Sequence, residues 1–285
     1  MTAGDETSGR RRLFGGLAGS LAGSLEGEPD DRAPLILLHG LTFDRIMWLP
    51  TLAELREIDP GRQVLSLSLP GHDGSQAWPS YDMESLAAGV HRAAGEAGLR
   101  GPVVVGHSMG AVIASAYAAG YGARGVINVD QPLRSDFFAR LVQSLASELR
   151  GPGFSAAWDR FEAGMGIELL PPAAQDLLRS SRNLRQDLVT GYWRELLDRP
   201  VTETVAQNAE LLAALTASAV PYLGIAGHDL EPEYQAWLDQ RLPQAQVTVW
   251  PGSGHFPHLA QPTRFAEYLA AAADPVRGLV ASTHG

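Results

Sequence analysis

A mostly parallel α/β sheet, covered by helices on both faces and carrying one helical insertion, is the fold class this sequence predicts. Three observations carry that expectation. Short β-rich apolar runs alternate with longer stretches of helical spacing. The runs are apolar without alternation, the mark of strands buried on both faces, which are found in parallel sheets. One long interval, from Asp130 to Tyr222, has helical patterning and no strand.

The strands expected are Pro34–Leu38, Gln63–Ser68, Pro102–Gly106, Gly125–Asp130, Tyr222–Ala226 and Gln246–Trp250. Between them, Leu49–Ile58, Met83–Ala97, Met109–Gly120, Tyr234–Arg241 and Pro262–Ala273 have helical spacing. Right-handed crossovers would put the strand C-termini, and the site, along one edge of the sheet. In the interval, Ala139–Leu149, Ser155–Met165, Ala173–Arg179 and Asn183–Leu197 read as helices, punctuated by Gly151, Pro152, Gly153, Pro171 and Pro172. A single crossover needs only one helix, so this block is expected to sit over the site as a cap. The division is then 1–130 and 218–285 for the core and 131–217 for the cap.

The opening residues allow two readings. Arg11-Arg12-Leu13-Phe14 before a glycine-rich apolar stretch is superficially like a twin-arginine export signal, although no A-x-A cleavage site follows. The preferred reading is a pair of opening strands, LFGGLAG and SLAGSLEG, in a cytoplasmic protein. The LAGS-LAGS echo is too short to be a structural repeat.

Composition removes several function classes. The chain has 285 residues, 45% of them hydrophobic, enough for a sizeable core. Its net charge of −10 opposes binding to a phosphate backbone, so nucleic acid is not an expected partner. Without cysteine there is no disulfide framework, thiolate metal site or thiol nucleophile. No apolar run approaches the ~20 residues of a membrane span. No metal-binding or phosphate-loop spacing occurs, so neither metal nor cofactor is expected. Oligomeric state is not legible.

The chemistry centres on Gly106-His107-Ser108-Met109-Gly110, the one G-x-S-x-G of the chain. With 31 glycines the pattern alone is weak, but its context fits: PVVV before it reads as a buried strand and MGAVIASAYAAG after it as a helix of small residues. A serine on so sharp a turn is strained, and Gly106 and Gly110 remove the Cβ clashes such a turn would create. The hydroxyl of Ser108 would stand above the sheet edge at the positive end of a helix. A serine needs a base, and His255, in PGSGHFPH after the last strand, is the candidate. The base needs an acid. Asp229 in AGHDLEPE and Asp130 in NVDQP both end strands, and both fit the order Ser, Asp, His. Gly227 would let the Asp229 loop turn inward, whereas Pro132 would stiffen the exit from Asp130. For a developing oxyanion, the amides of Met109 and of Leu41, in the early loop Leu38–Thr42, are the expected donors. His39 and His72 read as structural, and His107 as packing in the elbow. Trp158, Phe161 and Trp193, with Phe137, Phe138 and Met165, would either line an acyl pocket or form core.

Taken together, LILLHGLT, LSLPGHDGS, VVVGHSMGAVIA, YLGIAGHD and VWPGSGHFPHLAQP resemble the α/β-hydrolase superfamily, in its capped serine esterase and lactonase-like branch. The resemblance spans nearly the whole chain from about residue 33. It implies Ser108 as nucleophile, Asp229 as acid, His255 as base, and Leu41 and Met109 as oxyanion donors. Asp130 stays as the alternative acid, since some relatives use the earlier position. Ser68-Leu69-Pro70-Gly71-His72-Asp73 departs from the family's Asp-x-Pro-Gly-His-Gly, with no catalytic consequence evident. A serine at the elbow argues against the dehalogenase and epoxide-hydrolase branches. The expected function is a cofactor-free serine hydrolase acting on a small ester, thioester or lactone. Alternatives on the same fold are an acyltransferase, a carbon–carbon bond hydrolase, a haloperoxidase, or a ligand receptor without catalysis.

Overall fold

Successive side chains on a strand point to opposite faces, so runs such as LILL and VVV must bury both faces at once. The computed structural model, which describes residues 12–14 and 21–272, shows how they do so. Its strands are β1 (Arg12–Phe14), β2 (Gly23–Glu26), β3 (Leu35–Leu38), β4 (Val64–Leu67), β5 (Val103–His107), β6 (Gly125–Val129), β7 (Tyr222–Ala226) and β8 (Ala245–Val249). They form one sheet in the order β1-β2-β4-β3-β5-β6-β7-β8. The pairings β1·β2 and β2·β4 are antiparallel and the others are parallel. Each of the six expected strands is present as one of β3–β8, within one residue at either end.

The helices between strands cover both faces. They are α1 (Leu49–Ile58), α2 (Met83–Glu96) and α3 (Met109–Tyr121). After β6 come α4 (Asp136–Ser144), α5 (Ala146–Arg150), α6 (Phe154–Ala163), α7 (Pro172–Ser181), α8 (Gln186–Tyr192), α9 (Arg194–Asp198) and α10 (Val201–Ser218). The chain then adds α11 (Pro232–Arg241), α12 (Pro257–Ala260) and α13 (Pro262–Ala272). Leu35 and Leu37 of β3 pack with Leu52 and Leu55 of α1 and Phe265 of α13. Ile36 and Leu38 pack on the other face with Val90 of α2 and Ile113 of α3. All these side chains are buried, and each contributes roughly 1.5–3 kcal/mol relative to exposure. The edge strand β8 departs from the doubly apolar pattern, with Gln246 and Thr248 exposed between half-buried residues.

The order of strands positions the site. The chain passes from β3 outward to β4, then returns to place β5 on the other side of β3. The direction of winding reverses there, and in open α/β sheets the crevice beyond such a reversal is where ligands bind. The loop after β3 and the elbow after β5 flank that crevice.

Between β6 and β7 the insertion is helical, as expected, but one helix escaped the sequence reading. The 18 residues of α10 pack against α3 as well as α4. Only Leu212 and Leu215 of α10 are buried, too short an apolar stripe to signal so long a helix. Its C-terminal end leads directly into β7.

Of the expected opening strands, β1 and β2 occupy residues 12–14 and 23–26, while Arg11 and residues 15–20 lie outside the described residues. The β2 strand runs along the whole length of β4, from Gly23 opposite Leu67 to Glu26 opposite Val64. Leu21 is buried, the Ala22 amide donates to Ser75 Oγ at 2.8 Å, and Glu26 pairs with Arg56 of α1. A chain beginning at Pro29 would leave β4 as an open edge. We expect that truncation to lower the urea midpoint and the soluble yield. An unchanged midpoint would show the opening strands to be dispensable.

Candidate active site

The elbow is built by close approach. Ser108 has φ 52° and ψ −122°, a backbone that a residue with a side chain rarely adopts. A Cβ on Gly106 would stand 2.1 Å from the Gly110 carbonyl oxygen, and one on Gly110 2.4 Å from that of Leu38. Only glycine fits at either place, as the sequence predicted. The Ser108 amide donates to the Val129 carbonyl at 3.1 Å, tying the elbow to the end of β6. Met109 opens α3, so its N–H has no carbonyl one turn back inside the helix.

The loop after β3 comes beside the elbow. Gly40 lies so close that a Cβ there would meet His107 Nδ1 at 2.6 Å. Thr42, next to Leu41, has φ 69°. His39 fixes this loop: its Nε2 accepts the Leu69 amide at 2.9 Å, so Nδ1 carries the proton and donates to the Gly40 carbonyl at 2.8 Å. Fully buried, His39 is a structural clamp, held neutral by burial and by His72. His72 is buried in its turn against His39 and Tyr192.

The carboxylate that meets His255 differs from the one the sequence favoured for the acid. His255 Nδ1 lies 2.7 Å from Asp130 Oδ2, while Asp229 is exposed at the rim of the cavity. Two backbone features decide this. Asp130 has φ 54°, which turns its side chain from the end of β6 across to β7 and β8. There Asp130 Oδ1 accepts the Gly227 amide at 2.7 Å. Gly227 does not free the Asp229 loop to turn inward; a Cβ on it would lie 1.7 Å from the Gly254 carbonyl oxygen, so it is glycine to let the His255 loop pass. Pro132 stiffens nothing that matters, because the turn is made before it.

That turn is clasped from below. Asn128 Nδ2 donates to the Gln131 carbonyl at 2.8 Å, and Asn128 Oδ1 accepts the Gln131 amide at 3.0 Å. The Tyr222 hydroxyl, fully buried, joins Asn128 Nδ2 at 3.1 Å and Ser115 Oγ at 2.9 Å. Sequence reasoning missed Asn128; an asparagine two residues before an aspartate at a strand end is a turn signal that could have raised it. Burial pushes the Asp130 carboxyl up, but the His255 hydrogen bond and charge and the Gly227 amide outweigh it, and the group sits below the ordinary aspartate value. It is therefore a carboxylate at neutral pH.

Ser108, His255, Asp130, Leu41 and Met109 all line one cavity of about 1790 Å³. That exceeds the 300–1,000 Å³ typical of small-molecule pockets. Its opposite wall comes from the insertion. Trp193 meets Phe138, Phe161 and Trp158 at ring separations of 5.4, 5.2 and 5.7 Å. Trp158 and Trp193 are buried and line the cavity too, so the core and pocket readings of these residues hold together. Phe137 lies on the rim and is 76% exposed. Among the described residues no cluster of histidine and carboxylate side chains is placed to hold a metal ion, and no helix is long and apolar enough to cross a membrane.

Comparison with known proteins gives the same frame. A model described as "Alpha/beta hydrolase family" matches residues 35–268. A proline iminopeptidase of Lactobacillus delbrueckii subsp. lactis is 25% identical over 271 residues, covering 86% of this chain and 91% of that protein. A mouse protein named sn-1-specific diacylglycerol lipase ABHD11 is 25% identical over 260 residues, covering 82% of this chain and 78% of that protein. Among solved structures, a thermophilic esterase from Thermogutta terrifontis superposes with a TM-score of 0.69 at 24% identity, over 94% of this chain and 99% of that one.

Two measurements test this geometry. Asp130→Asn removes the carboxylate that fixes the His255 tautomer, so turnover of an aryl ester should fall on the order of 10³–10⁴-fold with the fold kept. Asp229→Asn should cost less than about tenfold; the reverse ranking would return the role to Asp229. The second is acid stability. His39, His107 and His258 are fully buried and their basicity is lowered by burial, His258 to about 3. Below the unfolded value of 6.5 the unfolded chain takes up protons on these histidines, and on the buried His72, that the folded one resists, so stability falls as pH falls. Stability should therefore drop as pH is lowered from 7.5 to 5.5, through the unfolded histidine value. Urea unfolding at the two pH values measures it, and His258→Phe should shrink the difference. A midpoint independent of pH would contradict the neutral burial of these rings.

Proposed function

The chain belongs to the alpha/beta hydrolase family, and from that membership we propose that it is a cofactor-free serine hydrolase cleaving a carboxylic ester, thioester or lactone. The observation that carries the reading is the contact of His255 Nδ1 with Asp130, in the cavity that also holds Ser108. An imidazole that donates from Nδ1 to a carboxylate keeps the lone pair of Nε2 for a hydroxyl proton. Ser108 attacks the carbonyl carbon as His255 accepts its proton. The amides of Leu41 and Met109 take the developing oxyanion, and Asp130 stabilises the imidazolium. His255 then protonates the leaving alkoxide or thiolate, giving an acyl-enzyme. Water attacks the acyl-enzyme with His255 again as base, and the acid leaves.

The insertion, taken as residues 131–217, acts in this reading as a cap whose aromatic wall receives the acyl group. Cavity size and the wall of Phe138, Phe161 and Trp193 favour an acyl portion larger than acetyl. The cytoplasm is kept as the proposed compartment. The substrate is a small molecule. Acyl transfer, carbon–carbon bond hydrolysis and haloperoxidase chemistry would use the same serine, histidine and acid, whereas a receptor has no need of a clasped carboxylate on a histidine.

Ser108→Ala should lower ester hydrolysis on the order of 10⁴–10⁶-fold and abolish labelling by a fluorophosphonate probe. Alanine carries the same backbone strain at this position, so the thermal midpoint should stay within a few degrees. A folded variant that keeps a tenth of the rate would refute the nucleophile. Wild-type protein that neither labels nor turns over any aryl ester or lactone would favour the receptor.

A further inference from the structure

The ring of His255 is held by Asp130, and its peptide is held from both sides as well. The His255 carbonyl accepts from His107 Nε2 at 2.7 Å, and the His255 N–H donates to the Met165 carbonyl at 2.8 Å. His107 belongs to β5. Met165 belongs to the insertion, just past the end of α6. The two segments touch without room for side chains: a Cβ on Gly254 would lie 2.7 Å from the Met165 carbonyl oxygen, and one on Gly166 3.1 Å from the Gly254 Cα. Gly166 itself has φ 68°. The turn is short and hydrogen-bonded, with the Gly164 amide on the Phe161 carbonyl at 3.1 Å and the Met165 amide on that of Glu162 at 3.0 Å. Phe161 and Met165 both line the cavity, four residues apart.

We propose that the Met165–Gly166 turn is a positioning element for His255, and that an acyl group packed against Phe161 and Met165 speeds the acylation step by steadying that turn. The inference rests on the serine-hydrolase reading and adds how the insertion takes part in it. Met165 thus lines the cavity and also meets the base with its main-chain carbonyl, and Phe161 lies one helical turn before it. A base displaced by about 1 Å loses on the order of 10² in rate. Occupancy of the acyl wall therefore appears in the rate of the chemical step as well as in binding. An acyl group that reached no such coupling would contribute uniform binding, lowering KM alone.

The test is the acylation rate constant at saturation, read from the pre-steady-state burst of p-nitrophenyl esters from acetyl to decanoyl. In the wild-type protein it should rise at least about fivefold from acetyl to the longest chain accepted. Gly166→Ala, strained at φ 68° and crowding Gly254, should lower it about ten- to a hundredfold for long esters and flatten its dependence on chain length. KM for those esters should stay within about threefold. Met165→Leu, which keeps the apolar side chain, should retain the wild-type slope. If Gly166→Ala does not fold, Met165→Ala should flatten the slope, because it removes the side chain that senses the acyl group. A wild-type rate constant flat with chain length while KM falls, or a Gly166→Ala variant changed in KM alone, would overturn the proposal. Activity surviving Ser108→Ala would strike the serine-hydrolase reading itself; a flat slope in an enzyme silenced by Ser108→Ala strikes only the coupling.

Discussion

A helix can begin on the residue after Ser108 only because nothing larger than hydrogen stands where α3 crosses the ends of β3 and β5. Gly106, Gly110 and Gly40 each face an atom that a methyl group could not approach. Their absence of side chains lets three chain segments converge at one point of the sheet edge. The strain at Ser108, of the order of 1–3 kcal/mol for a residue in so sparse a region, is then held in place by what surrounds it. Ala111, Ile113 and Ala114 of α3 are fully buried against the sheet. The Ser108 amide is bonded to β6, and the Ser108 carbonyl accepts the Ala111 amide at 2.8 Å. Relaxing the serine would require lifting the helix off the core.

The same logic recurs along the edge. Thr42 after β3, Ser108 after β5 and Asp130 after β6 all carry positive φ without being glycine. Each turn aims a group into one crevice, and each is over-determined by neighbours. His39 clamps the first. The glycine contacts clamp the second. Asn128, backed by Tyr222 and Ser115, clamps the third. Strain concentrated at three adjacent strand ends is a sign of function, since a fold with no site there would have had no reason to retain it.

The sheet was legible because buried parallel strands write a simple signature, and β3–β8 lie where those runs stand. The elbow and His255 were legible because glycine leaves a visible mark wherever chains touch. The carboxylate that pairs with His255 was not, since Asp130 and Asp229 both end strands and the choice hangs on a single dihedral angle. Positive φ at an aspartate has no one-letter code. Gly227 was noticed for the wrong reason: it marks a close approach by the His255 loop and leaves no slack for Asp229. The crossover helix α10 was missed because most of its surface faces solvent. The reading of Trp158 and Trp193 as either wall or core posed a choice that the structure does not make, since a buried aromatic cluster supplies both.

The insertion does more than wall the cavity: it supplies one of the two groups that hold the peptide of His255. That group is a main-chain carbonyl. The hydrogen bond to the His255 peptide therefore sets no requirement of its own on side-chain identity, so long as the turn keeps Gly166 beside Gly254. Phe138, Phe161 and Trp193 meet the cavity with side chains, whereas Gly166 and Gly254 are bound by the contact between their backbones. Such a division separates what is recognised from what is aligned, within a stretch of a few residues. It also sets a limit on motion. A rigid-body displacement that carried away the Met165 carbonyl would leave the His255 peptide with the bond from His107 Nε2, so this turn must stay in place for the two-sided grip to persist.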